Sequence, residues 1–262
     1  MTTISVERDE ATAVVELRSD DGLNVATVPG LTALRDALAG LATDTGIGAV
    51  VLTGGGDRAF CAGADIKYMS GIDADEAAAW GRLGHATGRL LEEMPKVTIA
   101  AINGLAIGGG CELALACDLR YASSSARLGQ PEVSLGLIPG WGGTQRLART
   151  AGLGFAKELL LTGRLVDSAE ALARGLLNGV HDPVLEKARE VADTVLERGP
   201  MAVAAAKALV NTALQGDHQA NLAREGAVLG ELLVGDEARE GLAAFLDKRA
   251  PGFSRAPEAG RR

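Results

Sequence analysis

Three features of this chain predict a layered α/β fold. It carries 35 glycines in 262 residues with only 3% aromatics and 47% hydrophobic residues, so its core is built from Ala, Leu, Val and Ile with close backbone approaches. Short β-branched runs alternate with leucines at helical spacing. Glycine clusters recur at the C-terminal ends of the strand runs, the place where ligands bind in such folds. A chain of this length can bury a substantial core in one large domain.

Thr3 to Val6 and Ala13 to Leu17 read as two strands joined by the charged turn Arg8-Asp9-Glu10. After a loop from Ser19 to Pro29, Leu31, Leu34, Leu38 and Leu41 mark a helix that Gly46 ends, and Ile47 to Thr53 follows as a strand. Asp73 and Glu76 have the spacing of a capping box and open a helix that runs to about Glu93, before Pro95. Val97 to Ile102 is a strand, a helix starts near Gly109, and Leu119 to Ala122 is another short strand. From Thr144 onward nearly every segment has helical periodicity, the last three being Met201 to Leu214, Leu222 to Val234 and Glu237 to Lys248. The tail from Pro251, rich in Gly, Pro and Arg, is expected to fray.

A net charge of −8 and a pI near 5.0 argue against nucleic acid or an anionic membrane as partner, since both require clustered Lys and Arg. Cys61, Cys111 and Cys117 are odd in number, lack CxxC spacing and sit among apolar residues, which predicts buried, reduced thiols and suits the cytoplasm. No secretory or transit signal is visible at the N-terminus.

The stretch from Val97 to Cys117 is the organising feature. It is an almost unbroken run of apolar and small residues with one charge, Glu112. Four glycines, Asn103 and that carboxylate argue against a membrane span. A carboxylate placed there unpaired costs several kcal/mol or takes up a proton. Gly108, Gly109 and Gly110 beside it free the backbone to present N–H groups to a ligand at a helix start.

Several chemistries fall away. Gly54, Gly56 and Ala59 formally fit a dinucleotide fingerprint, but Phe60-Cys61-Ala62-Gly63 stands where the helix should begin. No Lys follows a Gly, so there is no phosphate-binding P-loop. His85, His181 and His218 are scattered in helical or surface contexts, which gives a metal cluster or a Ser–His–Asp triad little support. Ser134 lies in EVSLG and lacks the first glycine of a nucleophile elbow. Two carboxylates beside glycines remain, Glu112 and Glu132. In a shared apolar site such a pair can divide general base from general acid, while singly Glu112 also reads as a buried structural acid and Glu132 as a surface loop residue.

Residues 59 to 69 (AFCAGADIKYM), 102 to 122 (INGLAIGGGCELALACDLRYA) and 128 to 149 (LGQPEVSLGLIPGWGGTQRLAR) resemble the signature segments of the enoyl-CoA hydratase, or crotonase, family. The likeness extends through 159 to 180 and the closing 236 to 253. It implies a crotonase-like α/β spiral of ββα units over residues 1 to 197, followed by a helical region, 198 to 262, used to form a homotrimer or a homohexamer. It also implies an acyl-CoA substrate, with coenzyme A part of that substrate and no separate cofactor or metal. The backbone N–H groups of Ala64 and Gly109 match the family's oxyanion hole, and Glu112 and Glu132 match its two catalytic glutamates. Gly140 matches the position where the backbone nears the catalytic water. Ala62, Asp65, Ile66 and Lys67 match the path of the CoA moiety, and Lys248 matches a basic position that can approach CoA phosphates from a neighbouring subunit.

The implied reaction is hydration of a 2-trans-enoyl-CoA to a 3-hydroxyacyl-CoA. A Δ3-Δ2-enoyl-CoA isomerase, needing one carboxylate, is the enzymatic alternative, and an inactive acyl-CoA-binding homologue the non-enzymatic one. Three departures stand out. Asp20-Asp21-Gly22 precedes Asn24 where relatives often have Arg or Lys with Pro, Trp141 replaces a small residue after Gly140, and Tyr68 is unusual. Trp141 is expected to reshape the acyl pocket.

Overall fold

The computed structural model describes residues 1–253. It opens with an antiparallel hairpin of β1 (Thr3–Asp9) and β2 (Thr12–Arg18), with Asp9 opposite Thr12. The turn is therefore Glu10-Ala11, one step later than the charged triplet suggests. A two-residue hairpin loop needs positive φ, and Glu10 supplies it at 49°. Helix α1 (Val28–Thr43) is capped by Thr27 and buries Leu31, Leu34, Leu38 and Leu41, the apolar face expected from their spacing. Next come β3 (Ala49–Gly54), β4 (Ala59–Cys61), the one-turn helix α2 (Ile66–Met69) and α3 (Ala74–Glu93), which has the anticipated capping box between Asp73 and Glu76.

The central apolar stretch resolves into β5 (Val97–Ile102), β6 (Leu105–Ile107) and α4 (Gly109–Ala116). Every residue of β5 and of α4 is buried, which explains why neither shows an amphipathic pattern. Among the described residues no helix is long and apolar enough to cross a membrane. Then follow β7 (Leu119–Ala122), β8 (Arg127–Gly129), a 3-10 turn at Glu132–Leu135, α5 (Gly143–Ala151) and α6 (Leu153–Thr162). The remainder is β9 (Leu165–Asp167), α7 (Ser168–Ala173), β10 (Gly179–Val180), α8 (Val184–Leu196), α9 (Pro200–Asn211), α10 (His218–Leu233) and α11 (Asp236–Leu246).

Two sheets organise these elements. The six-stranded sheet has the order β1-β2-β3-β5-β7-β10, and the four-stranded sheet the order β4-β6-β8-β9. Each turn of the chain places one strand in the large sheet and the next in the small one before a helix closes it: β3 then β4, β5 then β6, β7 then β8. This is the expected α/β spiral. The small sheet is the main addition to the sequence reading, along with β9 and β10 inside a region read as almost wholly helical. Strands of two or three residues carry too short a pattern to register, and neighbouring turns of the spiral supply their partners.

The spiral and the last helices differ in packing. Neither α9 nor α10 contains a buried residue, and α11 buries only Ala244. Helix α9 is nonetheless anchored: Lys207 Nζ donates to the carbonyls of Leu91 and Lys96 and pairs with Asp118 at 2.8 Å. Most of the tail expected to fray lies outside the described residues.

Candidate active site

The site forms where β4 and β6 bring two glycine-rich turns together. A Cβ on Gly110 would lie 2.0 Å from the Cys61 carbonyl oxygen, and one on Gly63, at φ +108°, 3.1 Å from the Ile107 carbonyl oxygen. Only glycine permits that approach, which seats the start of α4 against the loop carrying Ala64. Gly109 is the first residue of α4, so its N–H has no partner within the helix. Gly108 turns into the helix at φ +54°, and its N–H is taken by the Gly129 carbonyl. Ala64 follows the loop tied down by bonds from Ala62 N–H to the Leu23 carbonyl and from Ala26 N–H to the Gly63 carbonyl.

Glu112 lies one turn into α4 and is 3% exposed. Its Oε1 accepts hydrogen bonds from the backbone N–H groups of Trp141 and Gly143, both at 2.7 Å. Burial pushes its pKa up. The N–H groups of Gly143, Trp141 and Gly140, with the Arg146 guanidinium, pull the other way. Gly140 thus acts on this carboxylate through its backbone.

Glu132 opens the 3-10 turn and is half-buried. Its Oε1 lies 3.0 Å from where a Gly108 Cβ would be, and among the described residues its buried Oε2 has no hydrogen-bond partner. Burial, with the neighbouring Glu112 charge adding to it, pushes its pKa up to about 7. The two carboxyls therefore feel each other while having opposite surroundings. One is supplied with two N–H donors, and the other can take up a proton near neutral pH.

Trp141 is buried in a slot made by two glycines, since a Cβ on Gly84 or Gly109 would come within 2.1 or 2.3 Å of its ring. It meets Trp80 edge to face at 5.0 Å, and Trp80 meets Tyr68 likewise at 5.8 Å. Both tryptophans of the chain and one of its two tyrosines thus gather beside the site. The residues matched to the CoA path sit on its rim. Asp65 caps α2 by accepting from the Tyr68 N–H, Ile66 and Lys67 are exposed, and Ala62 is half-buried. The acidic loop is structural here: Asp21 accepts from the Leu23 N–H, and the Arg58 side chain bonds the Asp21 carbonyl.

Three features escaped the sequence reading. Gln130 is fully buried against Gly143, and among the described residues neither polar atom of its side chain has a partner. Arg146 forms a two-bond pair with Glu92 of α3. Trp80 completes the aromatic stack. Only the burial of polar side chains beside glycines could have signalled the first two, and burial is not visible in one sequence. Among the described residues no group of three His, Cys, Asp or Glu side chains could hold a metal ion. The three cysteines are buried and unpaired, with pKa values pushed by burial to about 11 or 12.

A spiral of ββα turns with paired glutamates over glycine-rich backbone defines a class, and the comparison with known proteins agrees. The profile of the enoyl-CoA hydratase/isomerase family matches residues 7–256, and the chain belongs to that family. It is 40% identical over 252 residues to a crotonyl-CoA hydratase of Syntrophomonas wolfei, covering 95% of this chain and 97% of the relative. It is 39% identical over 251 residues to a short-chain-enoyl-CoA hydratase of Clostridium acetobutylicum, covering 95% and 96%. Among solved structures, an enoyl-CoA hydratase from Bacillus anthracis superposes with a TM-score of 0.93 at 37% identity, covering 97% of this chain and all of that one.

Proposed function

We propose that this protein hydrates a 2-trans-enoyl-CoA to the 3-hydroxyacyl-CoA, with Glu112 as general base and Glu132 as general acid. The observation that carries the assignment is the contrast between the carboxyls: N–H donors favour the anion at Glu112, while an unpartnered oxygen and a pKa near 7 favour the acid at Glu132. Relatives named crotonyl-CoA and short-chain-enoyl-CoA hydratase support the reaction class.

In this reading the thioester carbonyl sits between the Ala64 and Gly109 N–H groups, which stabilise the enolate oxygen. One such donor is worth roughly a hundred- to a thousandfold in rate. Glu112 takes a proton from water as the water oxygen bonds the β-carbon. Glu132 delivers its proton to the α-carbon as the enolate collapses, and the net transfer of one proton between the carboxyls restores the start. The reaction draws on no group beyond chain, water and substrate. Ala62, Asp65, Ile66 and Lys67 would border the CoA moiety, with Lys67 free to approach a phosphate, and Gly140 and Trp141 would border the acyl end.

We further propose that residues 198–262 serve assembly into a homotrimer or homohexamer. Val210, Leu214, Leu229, Phe245 and Leu246 are all more than half exposed along α9 to α11, and large apolar side chains left in water on successive helices support an assembly surface. Sedimentation of the full chain tests this, and a monomer at micromolar concentration refutes it.

The catalytic proposal is tested by following loss of enoyl absorbance with crotonyl-CoA for wild type, Glu112→Gln and Glu132→Gln, with product analysis on a 3-enoyl-CoA. Hydration by wild type that collapses in both variants supports it. Isomerisation without hydration replaces it with the isomerase, and thioester binding without proton exchange at the α-carbon replaces it with an inactive homologue.

A further inference from the structure

The turn that feeds Glu112 is itself held from behind. Arg146 Nε and Nη2 donate to the two oxygens of Glu92 at 2.8 and 2.6 Å, and its Nη1 donates to the Trp141 carbonyl at 2.6 Å. That carbonyl lies in the chain between the Trp141 and Gly143 N–H groups, the two that bond Glu112 Oε1. The guanidinium is lodged rather than draped. Its side chain is 11% exposed, and a Cβ on Gly142 or Gly88 would fall 2.4 or 2.9 Å from its nitrogens. Three directed bonds from one planar fork fix both the position and the tilt of the turn, which a lysine's point charge cannot do.

We propose that Arg146, oriented by Glu92, is a positioning residue for Glu112: it aims the Trp141 and Gly143 N–H groups and keeps the carboxylate ready to accept a proton. This rests on the reading of Glu112 as the base. The charged and titratable groups acting on Glu112 are Arg146 from α5, Glu132 from the 3-10 turn and Cys111 on its own helix, with Cys61 beneath α4 on β4. Both thiols stay neutral, Glu132 is neutral while it holds its proton, and Arg146 favours the Glu112 anion. Without Arg146 the turn relaxes and Glu112 loses donors and countercharge together.

The pair lines a groove that Glu112 and Glu132 do not line. This groove of about 610 Å³, lined by Glu92, Arg146, Asp118, Lys207, Leu115 and Asn211, opens onto it, so a small cation can refill a truncated site. The experiment compares Arg146→Ala, Arg146→Lys and Glu92→Gln by steady-state kinetics across the acid limb, with millimolar guanidinium added to Arg146→Ala. Expected are a roughly hundredfold loss of kcat in Arg146→Ala with KM changed less than about threefold, an acid limb moved to higher pH, partial rescue by guanidinium, and weak recovery with Lys. Equal loss in kcat and KM with an unmoved limb overturns the proposal. If Arg146→Ala fails to fold, Glu92→Gln decides, and wild-type kcat and limb in that folded variant also overturn it. Carbon-13 NMR titration of Glu112 in a Glu132→Gln background separates the two readings. A Glu112 pKa that rises on Arg146 substitution keeps the positioning role even if hydration is not observed, and one that stays fixed removes it.

Discussion

Glu112 and Glu132 are the same residue type close enough to feel each other's charge, yet the chain treats them oppositely. Glu112 sits on a helix whose eight residues are all buried, and a glycine-rich turn presents N–H groups to it. Glu132 sits on one turn of 3-10 helix, with an oxygen that has no hydrogen-bond partner among the described residues. Burial raises both pKa values, so burial alone cannot separate acid from base. Donors do. A carboxylate supplied with N–H bonds from a facing turn is drawn toward its charged form, and one whose second oxygen lacks a partner is easier to protonate, as the Glu132 value of about 7 reflects.

The strongest way to break that comparison is to remove each ionisation in turn. Glu112→Gln and Glu132→Gln should each lower kcat by about a hundred- to ten-thousandfold in the crotonyl-CoA assay, with small effects on KM. Their pH profiles should part: Glu132→Gln loses the alkaline limb near pH 7 that wild type shows as its acid deprotonates, because the group responsible titrates at about 7.

Trp141→Ala attacks the turn on the donor side. It leaves the N–H in place but empties the slot between Gly84 and Gly109, and should cost about 3–5 kcal/mol of stability in denaturant unfolding. The surviving folded protein should show an acid limb moved upward as Glu112 comes to resemble Glu132. An unchanged limb would mean that the ring does not hold the turn.

A smaller effect has the opposite sign. The folded-state pKa of Glu132 is raised from 4.5 to about 7, so protonation favours the fold, and this stability is fully present below 4.5 and lost as pH rises through 7. Glu132→Gln should therefore be more stable than wild type at pH 8, by about 1–2 kcal/mol once partial solvent exposure is allowed for, and nearly equal to it at pH 4. Thermal unfolding at the two pH values measures this. The smallest effect expected is at Lys67, whose exposed side chain should change KM for the CoA ester by only about two- to threefold on conversion to Ala, and more at low salt.

Much of this was legible in the chain. The leucine spacing of α1, the Asp73–Glu76 capping box, the strand at Val97–Ile102 and the helix start at Gly109 all follow from local chemistry. The small sheet was not, because three-residue strands exist only where other turns of the spiral lie beside them. The charge in the apolar run marked Glu112 as costly to bury, and glycine runs marked close approach.

By itself, the sequence determined which residues must be inside, where helices start and stop, and that two carboxylates stand beside glycine-rich turns. Those are consequences of local preference and hydrophobic pattern. Tertiary structure alone decided which carboxylate is given two N–H donors and which has its pKa pushed up to about 7, and that Arg146 bonds both Glu92 and the Trp141 carbonyl of the turn that supplies those donors. Hydrogen bonds and burial come from elements far apart in the chain, so neither the Trp141 N–H reaching Glu112 nor the empty side of Glu132 is encoded in any single segment.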